Sequence, residues 1–263
     1  MGGRPAAYRI SVRRHVLLHS LGLEVIPLRS VVATLRRHYG EPAPPVSRDP
    51  FRLILWEQVG YLVPDAQRRR AFAALRTDVG LQPADILAAP GPKLEAITRL
   101  GGPIAFQLRA SRLRESAELV LGRWNGNLRA ALRLPIAKAR RALAQFPMIG
   151  EPGADKILVF TKSARLLPLD SNGLRVCRRL GLTPDAKDYS TAYRRAQKLL
   201  APALPNDHNW LISAYGLLRL HGQELCRRNA PVCSRCPFRA RCPSSSFPSV
   251  APNKRLKLPG ARK

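Results

Sequence analysis

Apolar residues recur along most of this chain at the three- and four-residue spacing of an α-helix, and the alternating runs that would build strands are nearly absent. In GPIAFQLRASRLRESAELVLGRW, Phe106, Ala110, Leu113, Ala117 and Val120 form one apolar stripe, with Arg109, Arg112 and Arg114 interspersed. VVATLRRHYG, PDAQRRRAFAALRTDVG, DYSTAYRRAQKLL and NDHNWLISAYGLLRLHG share the period. Gly and Pro punctuate it at 40–45, 83, 90–92, 101–103, 135, 147–153, 184 and 202–205, which predicts about ten helices with short connections. No fixed-period repeat is visible. The expected class is all-α, and 263 residues suffice for one large or two modest domains.

Charge narrows the partner. Lys and Arg number 45 against 17 Asp and Glu, a net +28. Such an excess favours a polyanion, because each neutralised phosphate releases condensed counterions. No apolar run is long enough to span a bilayer, so no membrane partner is expected. The first acid is Glu24. Residues 1–26 carry Arg4, Arg9, Arg13 and Arg14 ahead of it and are expected to be a disordered basic extension or a targeting segment. Residues 244–263, rich in Ser, Pro and Lys, are expected to be a disordered tail.

Four cysteines crowd into CRRNAPVCSRCPFRARC, residues 226–242, beside five arginines and no acid. The order Cys226-x6-Cys233-x2-Cys236-x5-Cys242 leaves three readings open. Paired disulfides suit a secreted chain, and no signal peptide is evident. Structural zinc usually uses two C-x2-C knuckles, and only Cys233/Cys236 makes one. A [4Fe–4S] cluster needs four thiolates and tolerates uneven spacing. Cys177 stands apart in GLRVCRRLGL and reads as core.

ALAQFPMIGEPGADKILVF reads as helix, Gly/Pro turn, helix. A turn aiming N–H groups outward at a helix N-terminus is a ready anion site, though it also serves as an ordinary connection. Downstream in LLPLDSNGLRV, Asp170 precedes Ser171 and Asn172 as an N-cap would.

Taken in order, these elements resemble the endonuclease III and adenine-glycosylase branches of the helix–hairpin–helix DNA glycosylase superfamily. FPMIGEPGADKI resembles the family's hairpin, LDSNGLRVCRRLGL the segment bearing its catalytic aspartate, and DHNWLISAYGLLRLHGQELC with the cysteines its cluster approach and spacing. DPFRLILWEQVGYLVPD looks like the first helix of its six-helix barrel. The resemblance covers roughly residues 28–243 and implies two domains: a barrel over 51–163, with the hairpin at 138–163, and a cluster domain from 27–50 and 164–243. It implies a [4Fe–4S] cluster on the four cysteines, and as partner double-stranded DNA with a damaged or mismatched base, bound by a monomer. A prokaryotic member would sit in the cytoplasm or nucleoid, and a targeted one in an organelle or nucleus.

The resemblance also implies roles. Asp170 would stabilise the sugar cation or activate water. Glu57, where adenine glycosylases keep a glutamate, would protonate the departing base from an apolar setting, or else would pair with a nearby arginine. Leu62 falls where relatives fill the gap left by a flipped base, and is equally placed to be core. Met148, Ile149, Gly150 and Gly153 would form the DNA-binding hairpin. Two departures stand out. Met148 replaces a glycine, which strains the turn if φ is positive there. Pro152, 18 residues before Asp170, replaces the lysine that bifunctional members use to attack the sugar. Lys156 lies one turn later and is expected to be a solvated or phosphate-facing charge. A monofunctional base-excision-repair glycosylase follows. The alternatives are a catalytically degenerate binder of DNA or abasic sites, a glycosylase/lyase using another amine, and a zinc-stabilised nucleic-acid-binding module.

Overall fold

The computed structural model describes residues 26–245, which contain twelve α-helices and no strand. In chain order these are α1 (Leu28–Tyr39), α2 (Pro50–Val59), α3 (Asp65–Asp78), α4 (Pro83–Ala88), α5 (Gly91–Leu100) and α6 (Phe106–Trp124). There follow α7 (Arg129–Leu132), α8 (Ile136–Leu143), α9 (Glu151–Phe160), α10 (Ser171–Arg179), α11 (Tyr189–Leu200) and α12 (His208–Glu224). The expected basic extension and nearly all of the tail lie outside the described residues.

The chain divides into two compact units. Among the described residues, the first comprises 26–41, 170–200 and 216–245, and the second 42–169 and 201–215. Residues 42–50, 164–169 and 201–215 lie in the second unit, whereas the resemblance assigned them to the cluster domain. Arg165 holds the returning segment there, donating to the carbonyls of Ala201, Leu204 and Pro205.

In the second unit the core is built around α2. Asp49 caps it, accepting from the N–H groups of Phe51 and Arg52 at 3.0 and 3.1 Å, and Pro50 occupies a first-turn position where its missing N–H costs nothing. Seven of its ten residues are buried, so α2 runs through the core, with Arg52, Trp56 and Glu57 half-buried. Leu75, Leu94, Ile97, Leu113, Ala117, Val120, Leu143, Ile157 and Leu158 complete that core. Helices α3, α5, α6 and α9 supply its walls.

One core position is a cation. Arg109 is 1% exposed, and its guanidinium donates to five carbonyls: Ile104 (3.1 Å), Val59 (2.8 Å), Gly101 (3.2 Å), Thr98 (2.7 Å) and Gly102. These oxygens sit at and beyond the C-terminal ends of α2 and α5, where helices leave carbonyls without partners and favour positive charge. Arg109 lies three residues after Phe106 and four before Leu113, on the apolar stripe itself. Beside it, a Cβ on Gly101 would meet the Val59 carbonyl oxygen at 1.8 Å, so the two chain segments approach as only glycine allows. Replacing Arg109 by Met leaves several buried carbonyls undonated. Thermal unfolding of that variant is expected to show a loss of about 3 kcal/mol or more, a fall in Tm of about 10 °C.

Candidate active sites and cluster loop

The hairpin in the second unit joins α8 to α9. Asp155 is fully buried and takes a two-pronged ion pair from Arg140, whose Nη2 lies 3.0 Å from Oδ2, so the hairpin's two helices are tied together. Buried Gln58 donates to the Pro147 carbonyl at 3.0 Å and to Ser116 Oγ at 2.7 Å, fastening the hairpin turn to α2 and α6. Met148 stands at φ +66°, the left-handed region expected of the missing glycine, and its side chain is exposed. Ile149, expected to contact DNA, is 3% exposed and belongs to the core instead. Gly150 caps α9 at φ −84°, and a Cβ on Gly153 would make only ordinary contact at 3.5 Å, so neither needs to be glycine for its backbone. The anion site at the start of α9 is weakened twice over. Pro152 removes one first-turn N–H, and Glu151 places a carboxylate in the same turn.

Leu62 is not core. It is 76% exposed at φ +51°, on the turn between α2 and α3. The Tyr61 N–H donates to the Gly101 carbonyl at 3.2 Å, and Arg109 holds Val59, so the turn is presented on a rigid base. A non-glycine residue in this region is strained by about 1–2 kcal/mol, a cost that proteins tend to carry at functional positions.

Glu57 and Lys156 meet. Lys156 Nζ lies 2.7 Å from Glu57 Oε1, Arg68 Nη1 lies 3.8 Å from Oε2, and the Lys156 and Glu57 side chains are 15% and 19% exposed. Lys156 also sits over the Tyr215 ring, 5.8 Å from its centroid. Burial pulls the Lys156 pKa down, but the Glu57 carboxylate and Tyr215 outweigh it, and the ammonium is held above its ordinary value. This corrects the expectation for Lys156 and favours, for Glu57, the arginine-paired alternative. Lys156 is neither solvated nor phosphate-facing. Glu57 is not an isolated carboxyl in an apolar setting but an anion between two cations. Lys156, one turn after Pro152 on α9, reaches Glu57 on α2, a pairing that sequence periodicity alone does not fix.

In the first unit, Asp170 caps α10. Its Oδ1 accepts from the N–H groups of Asn172 (3.0 Å) and Gly173 (2.8 Å). Its Oδ2 lies 3.2 Å from Asn172 Nδ2 and 3.4 Å from Arg219 Nε, and the side chain remains partly exposed. The cap fixes one oxygen and leaves the other at the edge. Helix α12 crosses this point closely: a Cβ on Gly222 would meet the Asn172 carbonyl oxygen at 2.8 Å and its Cβ at 2.7 Å. Arg175 ties the same region to the cysteine loop, donating to Asn172 Oδ1 (2.8 Å) and to the carbonyls of Gly222 (2.7 Å) and Cys226 (2.8 Å).

Cys226, Cys233, Cys236 and Cys242 are free thiols lining one cavity of about 1470 Å3, with Arg175, Arg178, Arg179 and Arg239 around them. Cys177 is fully buried core, and burial pushes its thiol up to about 12. Burial pushes the Cys236 thiol up to about 11, with the other three cysteines adding to it. Among the described residues no three His, Cys, Asp or Glu side chains converge tightly enough for a single metal ion. A cube-shaped cluster holds its thiolates farther apart, and two observations fit such an anionic group. The Arg179 guanidinium donates to Cys226 Sγ at 3.5 Å. The Phe238 N–H donates to Cys236 Sγ at 3.4 Å. Donors aimed at sulfur are what a bound thiolate requires.

The sequence matches endonuclease III of Sulfolobus acidocaldarius at 26% identity over 200 residues, 74% of this chain and 82% of that protein. It matches endonuclease III of Buchnera aphidicola subsp. Baizongia pistaciae at 24% over 153 residues, 56% of this chain and 60% of that protein. The fold is similar to that of a trapped endonuclease III–DNA covalent intermediate, with TM-score 0.66, 19% identity, and coverage of 84% of this chain and 97% of that one. The chain resembles endonuclease III in sequence and shares the fold of endonuclease III-like DNA glycosylases. A thermostable thymine-DNA glycosylase of the same fold gives TM-score 0.63 at 17% identity, covering 83% of this chain and 96% of that one. No protein-family model matches the chain. Within this glycosylase fold, Asp170 and the cysteines lie in the first unit, while Glu57, Leu62 and the hairpin lie in the second.

Glycine at 148 should relieve the left-handed backbone. The Met148→Gly variant is expected to unfold at a higher urea concentration, by about 1 kcal/mol. An unchanged or lower midpoint would show that Met148 packing outweighs the strain.

Proposed function

We propose that this chain is a base-excision-repair DNA glycosylase that uses water to hydrolyse the N-glycosidic bond of a damaged or mispaired base, with no efficient lyase step. The observation that carries the proposal is that no free amine stands at the hairpin's lysine position or one helical turn beyond it. Pro152 stands at the expected lysine position, and Lys156 is an ammonium bonded to Glu57. A Schiff base needs a neutral amine within reach of the sugar. With none supplied, a carboxylate and water are left to do the work. Asp170 supports the developing oxocarbenium ion with Oδ2, the oxygen outside the backbone cap, which Asn172 and Arg219 contact in the resting protein. Glu57 carries charge in its pair, so it donates no proton to the departing base until that pair opens.

Supporting the DNA-binding half of the reading are the +28 charge and the exposed Leu62, which would fill the gap left by an extruded base. The four cysteines would hold a [4Fe–4S] cluster that braces the arginine-bearing loop and supplies a redox couple when bound. No helix among the described residues is long and apolar enough to cross a membrane.

Asp170→Asn tests the chemistry cleanly, because asparagine caps a helix as well as aspartate does and α10 stays capped. Single-turnover base release should fall at least 100-fold, with duplex affinity and Tm nearly unchanged. Loss of affinity instead would make Asp170 a structural cap. Borohydride treatment with abasic duplex should trap no covalent adduct, and a strong adduct would refute the monofunctional assignment. Tight binding with no release of any base would favour a degenerate binder.

A further inference from the structure

Cys236 is surrounded differently from the other cluster cysteines. His221, 1% exposed on α12, lies with Nε2 3.6 Å from Cys236 Sγ. Its other nitrogen, Nδ1, lies 3.0 Å from the Tyr39 hydroxyl on α1. The Phe238 ring meets the imidazole edge-on, with centroids 5.6 Å apart and planes at 88°. The His221 carbonyl accepts from the N–H groups of Leu225 (3.1 Å) and Cys226 (2.8 Å), so the same residue anchors the backbone where the cysteine loop begins. All of these residues belong to the first unit.

We propose that His221 is a positioning residue for the cluster: its Nε2–H donates to the Cys236 thiolate, and the Tyr39 hydroxyl, donating to Nδ1, holds the imidazole in the tautomer that can do so. The chemistry leaves one workable arrangement. A metal-bound thiolate only accepts, so an Nε2 lone pair facing it would be repelled. A neutral imidazole donating from Nε2 must accept at Nδ1, and the tyrosine hydroxyl is the donor placed there. With the Phe238 N–H, Cys236 then receives two donors, which withdraw electron density from its sulfur. Such donation stabilises the more electron-rich state of an iron–sulfur cluster and raises its reduction potential. The Tyr39 and His221 positions are 182 residues apart in sequence, so the first helix of the unit becomes part of the cluster's environment.

This inference rests on the cluster reading, and voltammetry of anaerobically purified full-length protein separates the two. Wild type should be brown with a reversible couple. His221→Leu should shift that couple to more negative potential, Tyr39→Phe should shift it the same way by less, and His221→Gln, whose amide N–H reaches the same place, should restore it. Colourless, iron-free wild type would overturn the cluster itself. Brown wild type with H221L and Y39F at the wild-type potential would overturn the His221 role alone. Where H221L fails to load, Y39F leaves the histidine in place and carries the same comparison.

Discussion

The second unit depends on a buried guanidinium. Arg109 collects carbonyls from the ends of two helices and the turns that follow them, giving α2 the positive charge its last turn lacks and adding to Arg99 at the end of α5. Removing such a cation leaves polar groups that no apolar side chain can satisfy, and that is why its loss should be felt across the whole unit. The same contacts hold the segment between Val59 and Val63, the base on which Leu62 is carried exposed and strained. Core stability and the presentation of a surface side chain are thus one interaction.

An ion pair in the same unit bears on the chemistry. Lys156 and Glu57 sit in a half-buried setting where neither would be comfortable alone, and each fixes the charge of the other. On the proposed reading, the pairing withholds both an amine nucleophile and a proton-donating acid. In the reaction we propose, water is the nucleophile and Asp170 is the carboxylate at the sugar. The cap at α10 serves that role, because two backbone N–H groups orient Asp170 before any substrate arrives.

Most helices were legible from spacing, because apolar stripes at helical period must face a core. The five segments singled out by period are helices α1, α3, α6, α11 and α12. The Asp170 cap was legible from the Ser-Asn that follows it. Arg109 was missed for a definite reason: it was read as a charge between apolar positions, although its own spacing puts it on their face. Glu57 and Lys156 are 99 residues apart, and Tyr39 and His221 are 182 apart. Pairings at such separations depend on tertiary geometry that local periodicity does not encode. Leu62 was ambiguous between core and surface, since a turn residue at positive φ escapes the period of the helices on either side.

The central claim is hydrolysis of a glycosidic bond without strand cleavage. Its most direct measurement is a single-turnover panel of duplexes with damaged and mismatched bases, scored for free base before any heat or alkali. The account predicts that at least one substrate releases its base while the backbone stays intact until alkali is added. Strand scission without alkali, or no base release from any duplex the protein binds tightly, would contradict it.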